Sequence, residues 1–197
     1  MEAFSDGVFA FAITLLVLYL KDPGPGGGTT LFQGLEAQWP EFFAFVTSFL
    51  TILIMWIGHH EMFTYITKAD RRFMFLNGFL LFFVTLTPFT TSLVADHILS
   101  SDSGIAAIIY SGSFLLLGVV WNFLWRYASG PAKLIDRSMT ADQVKAFNRN
   151  FYVGPISYTV AFLIAFVSGI ASVVLILAVA VFFAVGSRSP RFLEPTS

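Results

Sequence analysis

The chain has 197 residues, of which 56% are hydrophobic, 24 are Phe and only 12% are charged, with a net charge of -1. Soluble domains carry about a quarter charged residues, so this chain has too few charges to cover a water-exposed surface and must be covered largely by lipid. The net charge gives no case for nucleic-acid binding, and the lack of cysteine excludes disulfides, thiolate metal sites and cysteine nucleophiles.

The first apolar run, Phe4 to Leu20, opens on Phe4-Ser5-Asp6-Gly7. It lacks a basic leading segment and ends in Tyr19-Leu20-Lys21-Asp22 instead of a small-residue cleavage site, so it reads as a membrane helix and not as a signal peptide. A carboxylate at the membrane edge is costly without a partner, which makes Asp6 a functional or structural site. At about 100° per residue, Gly7, Phe11, Thr14 or Leu15, and Leu18 share one stripe, while Asp6, Phe9, Ile13 and Leu16 lean elsewhere. Bulky apolar groups with one hydroxyl are, on spacing alone, an ordinary packing stripe. Asp22 to Gly28, rich in Pro and Gly, is expected to be a flexible external loop.

The second run, Phe42 to Ile66, carries Trp56-Ile57-Gly58-His59-His60 near its inner end. Adjacent histidines point about 100° apart on a helix and cannot share a partner, whereas a zinc site favours i, i+4 spacing, so no metal is expected. Asp6 begins an outward-going helix and His59 nears the end of an inward-going one. A hydrogen-bonded network of Asp6, Trp56, one histidine and Asn77 follows, the alternative being that both histidines sit at headgroup level.

The third run, Phe73 to Ala95, contains Asn77 and a kink expected at Pro88. A short polar external link, Asp96 to Gly104, precedes the fourth run, Ile105 to Tyr127, in which Asn122 is placed to bridge helices. The longest internal connection, Ser129 to Asn150, is expected to hold a short helix, since Thr140 and Gln143 have capping-box spacing. The fifth run is Phe151 to Ser168, with Ser157 and Tyr158 as further bridging groups, and Gly169 separates it from the sixth, Ala171 to Val185.

Runs of roughly 17 to 25 apolar residues span the hydrocarbon core, which predicts an all-α membrane protein with six helices in one domain, residues 1–187, and a cytoplasmic tail, 188–197. Lys68, Arg71, Arg72, Arg126, Lys133, Arg137, Lys145, Arg149, Arg188 and Arg191 then fall on one side, and only Lys21 on the other. The positive-inside rule puts both termini and the two basic loops in the cytoplasm. The sequence contains no nucleotide loop, no nucleophile with its base and no paired carboxylates in one cavity, so it offers nothing for an enzyme to work with.

The string from Phe4-Ser5-Asp6 through Leu18, then Trp56-x-x-His59-His60-x-x-Phe63, Asn77 and Thr87-Pro88-Phe89, resembles the prokaryotic members of the lysosomal potassium channel family, transmembrane protein 175. The resemblance covers the whole six-span layout. It implies a cation channel favouring potassium, without the usual potassium-filter loop, and this chain indeed has no Thr-Val-Gly-Tyr-Gly. It further implies a homotetramer in a prokaryotic cell membrane, with no cofactor and with potassium and other monovalent cations as permeant species. The first helix of each subunit would line the pore, Phe11 forming a hydrophobic constriction, Thr14 carrying a hydroxyl linked to potassium preference, and Leu15 and Leu18 matching apolar lining positions. Phe4, Ser5, Asp6, Trp56, His59, His60 and Asn77 would hold that helix in register. Two departures are visible: the family's arginine four residues before the motif phenylalanine has no counterpart here, leaving the network incomplete or the sequence truncated, and phenylalanine replaces the usual isoleucine or leucine at the constriction. The competing expectation is a proton-coupled carrier or proton pathway using Asp6 and His59 or His60; a non-conducting scaffold is a third.

Overall fold

A computed structural model describes residues 1–24 and 30–186 of the chain. Helix α1, Glu2–Leu15, tightens into one 3-10 stretch, Leu16–Tyr19; α2 is Leu31–Ala37, α3 Trp39–Thr64, α4 Arg71–His97, α5 Ser103–Ser129, α6 Ala141–Ala165 and α7 Gly169–Gly186. No β-strand occurs among the described residues, only a single bridge between Ile66 and Ile135. The expected tail, 188–197, and most of the Asp22 to Gly28 loop lie outside the described residues.

Local chemistry sets the helix starts. Asp70 accepts the Phe73 N–H at 2.8 Å to cap α4. Thr140 and Gln143 form the expected capping box, and Thr30 with Gln33 forms a second one at the start of α2. That second box stands in the sequence at the same spacing, yet α2 is absent from the sequence expectation because its seven residues are too short to register as a span.

The helix expected within the Ser129 to Asn150 connection starts where Thr140 caps it but is not short. The helix opened by Thr140 runs unbroken to Ala165. Nothing between Asn150 and Phe151 stops it, and a new helix would have to pay the nucleation cost again. Pro155 lies inside α6 and cannot donate to the Phe151 carbonyl one turn back. Asn122 of α5 supplies the missing donor, its amide reaching the Phe151 carbonyl at 2.8 Å. Asn122 therefore bridges two helices, as its place in the fourth run suggested.

Among the described residues, four helical stretches are long and apolar enough to cross a membrane: Glu2–Tyr19, α3, α4 and α5. The apolar α7 is shorter, and the first turns of α6 are polar. The core lies among α3, α4, α5 and α6, around fully buried Tyr110, Phe114, Leu124 and Trp125, and α1 packs on α3 and α4 through Phe9 and Leu16. Polar glue runs through this core as small hydroxyls: the Thr91 hydroxyl donates to Ser48 at 2.7 Å, and Ser48 lies 2.8 Å from the Tyr110 hydroxyl, joining α4, α3 and α5.

One end of the bundle gathers the start of α1, the end of α3, the start of α4, the end of α5 and the start of α6. Two loops are tied together there, with the Thr67 N–H donating to the Leu134 carbonyl at 3.0 Å and the Asp136 N–H to Tyr65 at 2.8 Å. Eight basic residues from Lys68 to Arg149 belong to this end, while Lys21 follows the far end of α1.

Candidate functional site

Helix α1 has two unlike faces. Ser5, Phe9, Ala12 and Leu16 are buried at spacings of four, three and four residues, so a single stripe carries all the packing against the bundle. The opposite stripe, Phe4, Gly7, Phe11, Thr14 and Leu18, is uncovered, Phe11 being 63% and Leu18 70% exposed. Leu15 sits half-buried at its border. The ordinary-packing reading of the Phe11, Thr14, Leu18 stripe therefore does not hold within one chain: the bundle is packed by the face that leans the other way. The Thr14 hydroxyl donates to the Phe11 carbonyl at 2.9 Å, which leaves its lone pairs free on the uncovered side.

The buried face ends in a hydrogen-bonded anchor. Asn77, only 2% exposed, donates through Nδ2 to Ser5 Oγ at 2.9 Å, and its Oδ1 lies 2.9 Å from His59 Nε2. Since Asn77 Oδ1 can only accept, the proton of the ring stands on Nε2. His59 Nδ1 is buried without a hydrogen-bond partner. The ring is held instead by aromatic contact, stacked on Phe63 at 4.2 Å between centroids, with Phe9 at 5.3 Å. Beside this chain and separate from it, the Trp56 indole N–H donates to Asp6 Oδ1 at 2.8 Å.

The adjacent histidines take different work, as their angular separation requires. His59 is buried and bonded to Asn77, whereas His60 points outward, its Nδ1 3.0 Å from Glu2 Oε1. Of the residues expected in the network, Ser5, Asp6, Trp56, His59, His60 and Asn77 all join α1 to α3 or α4. Phe4 does not: it is 69% exposed and lies on the open stripe, because the buried stripe begins one residue later. Glu2 and Phe9 were not anticipated. Glu2 precedes Asp6 by one helical turn and so shares its face, and Phe9 follows Ser5 at the same interval; that periodicity is the signal that could have found them. Glu2, Asp6 and His60 bring three potential ligand atoms within 4.8 Å of one another, but each residue is already engaged with a side chain of this cluster.

The energetic scale of the anchor bears on what it can do. Side-chain hydrogen bonds between membrane helices contribute on average about 0.6 kcal/mol each. The few links between α1 and its neighbours thus fix the orientation of the helix without locking it. Lipid presents the same surroundings to every face of a helix, so a helix bathed only in lipid gains nothing from a preferred rotation.

The family model described as endosomal/lysosomal potassium channel TMEM175 matches residues 1–88, the segment that contains α1 and every residue of the anchor. Over 191 residues the chain is 40% identical to a protein named as a potassium channel in Chamaesiphon minutus, covering 96% of this chain and 94% of that one. It is 34% identical over 137 residues to a protein named endosomal/lysosomal proton channel TMEM175 in Gallus gallus, covering 65% of this chain and 27% of the longer animal protein. The crystal structure of a lysosomal potassium-selective channel TMEM175 homolog from Chamaesiphon minutus matches this fold with a TM-score of 0.86 at 39% identity, covering 95% of this chain and 96% of that one.

Proposed function

Because the chain belongs to the TMEM175 family, we propose that it is a cation channel that favours potassium modestly over sodium, assembled as a homotetramer around the uncovered stripes of four α1 helices. The observation that carries this reading is the division of α1 into an anchored face and an open one that holds Phe11, Thr14 and Leu18. Four Phe11 rings around a common axis close the path by bulk and by expelling water, the hydrophobic mode of gating. Tilt or rotation of α1 against its weak anchor opens it.

Selectivity in such a pore is modest, since apolar side chains cannot replace the water a cation sheds. Thr14 supplies the partial compensation: its hydroxyl proton is occupied by the Phe11 carbonyl, so its oxygen is turned toward the open side as an acceptor. Ser5, Asp6, Trp56, His59, His60 and Asn77 position the helix and do not touch the ion. In this reading α1 and α3 to α7 make six crossings, with the basic end and both termini in the cytoplasm of a cell membrane.

The test is flux from potassium-loaded liposomes containing the purified protein, with external sodium compared against external potassium. Passive flux favouring potassium, raised by Phe11→Ala and made less selective by Thr14→Val, is the expected result. The absence of flux from both the native form and Phe11→Ala, in vesicles shown to hold folded oligomer, would overturn the channel reading. A pH dye in the same vesicles addresses the proton pathway. Asp6 and His59 belong to separate hydrogen-bonded links, and proton movement abolished by Asp6→Asn or by His59→Phe, with potassium flux absent, would establish that pathway instead.

A further inference from the structure

We propose that the uncovered face of α4 from Arg71 to Phe82 is a binding site for one anionic glycerophospholipid of the leaflet at the basic end. Arg71, Phe75, Gly78 and Phe82 recur at intervals of four, three and four residues and so lie on one line along the helix. All four are exposed, as are Met74 and Phe79 beside them. The line is not a flat apolar surface. A side chain at Gly78 would meet nothing within 4 Å, so the glycine leaves a notch in the helix surface. Phe75 lies before the notch, Phe79 and Phe82 after it, the last two with parallel rings 6.2 Å apart, and together with Met74 and Leu76 they line a shallow groove.

The groove has a cationic mouth. The Arg71 guanidinium stands 5.6 Å from the centre of the Phe75 ring, held over the groove by the ring's electron-rich face. Arg72 is its neighbour, and Lys68 precedes it by one turn's length of chain. Asp70, next in the chain, gives one oxygen to the Phe73 N–H and the other to the Tyr127 hydroxyl, and its charge faces Arg72, so Arg71 and Lys68 are the cations left to the mouth. No acidic residue follows on α4 until Asp96. A phosphodiester without a compensating cation in its headgroup is the complement to such a mouth.

Length selects the lipid over other apolar partners. Eleven residues separate Arg71 from Phe82, a rise of roughly 16 Å, which is about half the 30 Å hydrocarbon core. The groove thus matches one acyl chain in one leaflet.

The purified oligomer in detergent is exposed to equal amounts of dioleoylphosphatidylglycerol and dioleoylphosphatidylcholine, and retained lipids are counted by native mass spectrometry. Each basic group near a membrane surface favours anionic lipid by about fivefold, so phosphatidylglycerol should be retained in clear excess. Arg71→Ala with Lys68→Ala should remove that excess. Gly78→Leu, which has open space in the protomer, should lower retention while leaving the oligomer's mass and helical signal unchanged. Soluble glycerol phosphate at millimolar concentration should not displace the lipid. The proposal fails if the two lipids are retained equally by the native protein, if the double variant keeps the preference, or if glycerol phosphate alone competes it away. It fails equally if Phe75→Cys, the only thiol in a chain without cysteine, forms a disulfide between copies in the native bilayer, because a second copy then covers this face.

Discussion

Replacing Asn77 by leucine tests the anchor at its centre. Asn77 joins Ser5 to His59 by two bonds of 2.9 Å each. Asn77→Leu keeps the volume and removes both. The Ser5 hydroxyl still donates to the Met1 carbonyl at 3.3 Å and so is not stranded. His59 is: its ring is fully buried, its Nδ1 already lacks a partner, and its Nε2–H loses the only acceptor shown for it. A stranded buried donor costs about 1–3 kcal/mol, and the lost bond to Ser5 adds about 0.6 kcal/mol. The single variant should therefore lose roughly 1.6–3.6 kcal/mol. Removing both polar partners together is a different matter, since apolar groups of similar shape leave nothing stranded. In Asn77→Leu with His59→Phe, the new ring retains the contacts with Phe9 and Phe63, and the total loss should fall below about 1 kcal/mol. The assay is unfolding in mixed micelles of increasing SDS content, followed by tryptophan fluorescence at one fixed protein concentration so that assembly does not shift the midpoint. A double variant as unstable as the sum of the two single ones would refute the reasoning, for it would show that the cost comes from packing and not from the orphaned histidine.

Three further outcomes follow from the same geometry. Gly169→Ala sets a methyl 2.5 Å from the Ser103 carbonyl oxygen, a backbone atom that cannot turn aside, and should cost about 1–3 kcal/mol in the same SDS titration; a wild-type midpoint would show that the link between α6 and α7 gives way freely. Asn122→Ala should destabilise by about 1 kcal/mol because Phe151 loses its donor, and should cost almost nothing in a Pro155→Ala background, where the N–H regained at position 155 takes over; equal losses in both backgrounds would reject the bridging role. Asp70 is held below the ordinary carboxylate range by the Tyr127 hydroxyl and by the Phe73 N–H, so its contribution is complete above the unfolded carboxylate pKa of about 4 and is lost as pH falls through its lower folded value. Asp70→Asn should remove that acid-side loss, which is read as the difference between native and variant melting temperatures below and above pH 4.

Much of the architecture was legible because lipid imposes a one-dimensional rule: a crossing helix must satisfy its backbone internally and stay apolar for its full length. The helix start at Thr140 could be read for a related reason, since a cap is chemistry between residues three apart. The α6 boundary was not legible, because a change from polar to apolar composition marks the membrane surface and does not end a helix; the unbroken run through Asn150 and Phe151 shows the difference.

The candidate site divides in the same way. By itself the sequence determined which residues carry unusual cost in a membrane, namely Asp6, His59 and Asn77, and which share a stripe of α1, because both follow from residue type and a fixed helical period. Only the tertiary structure decided which stripe is buried. Two apolar faces of one helix have nearly the same hydrophobicity, and the choice between them is made by Asn77 and Trp56, some seventy and fifty positions along the chain from their partners Ser5 and Asp6. Contacts of that range are set by how the helices pack, and no local pattern records them.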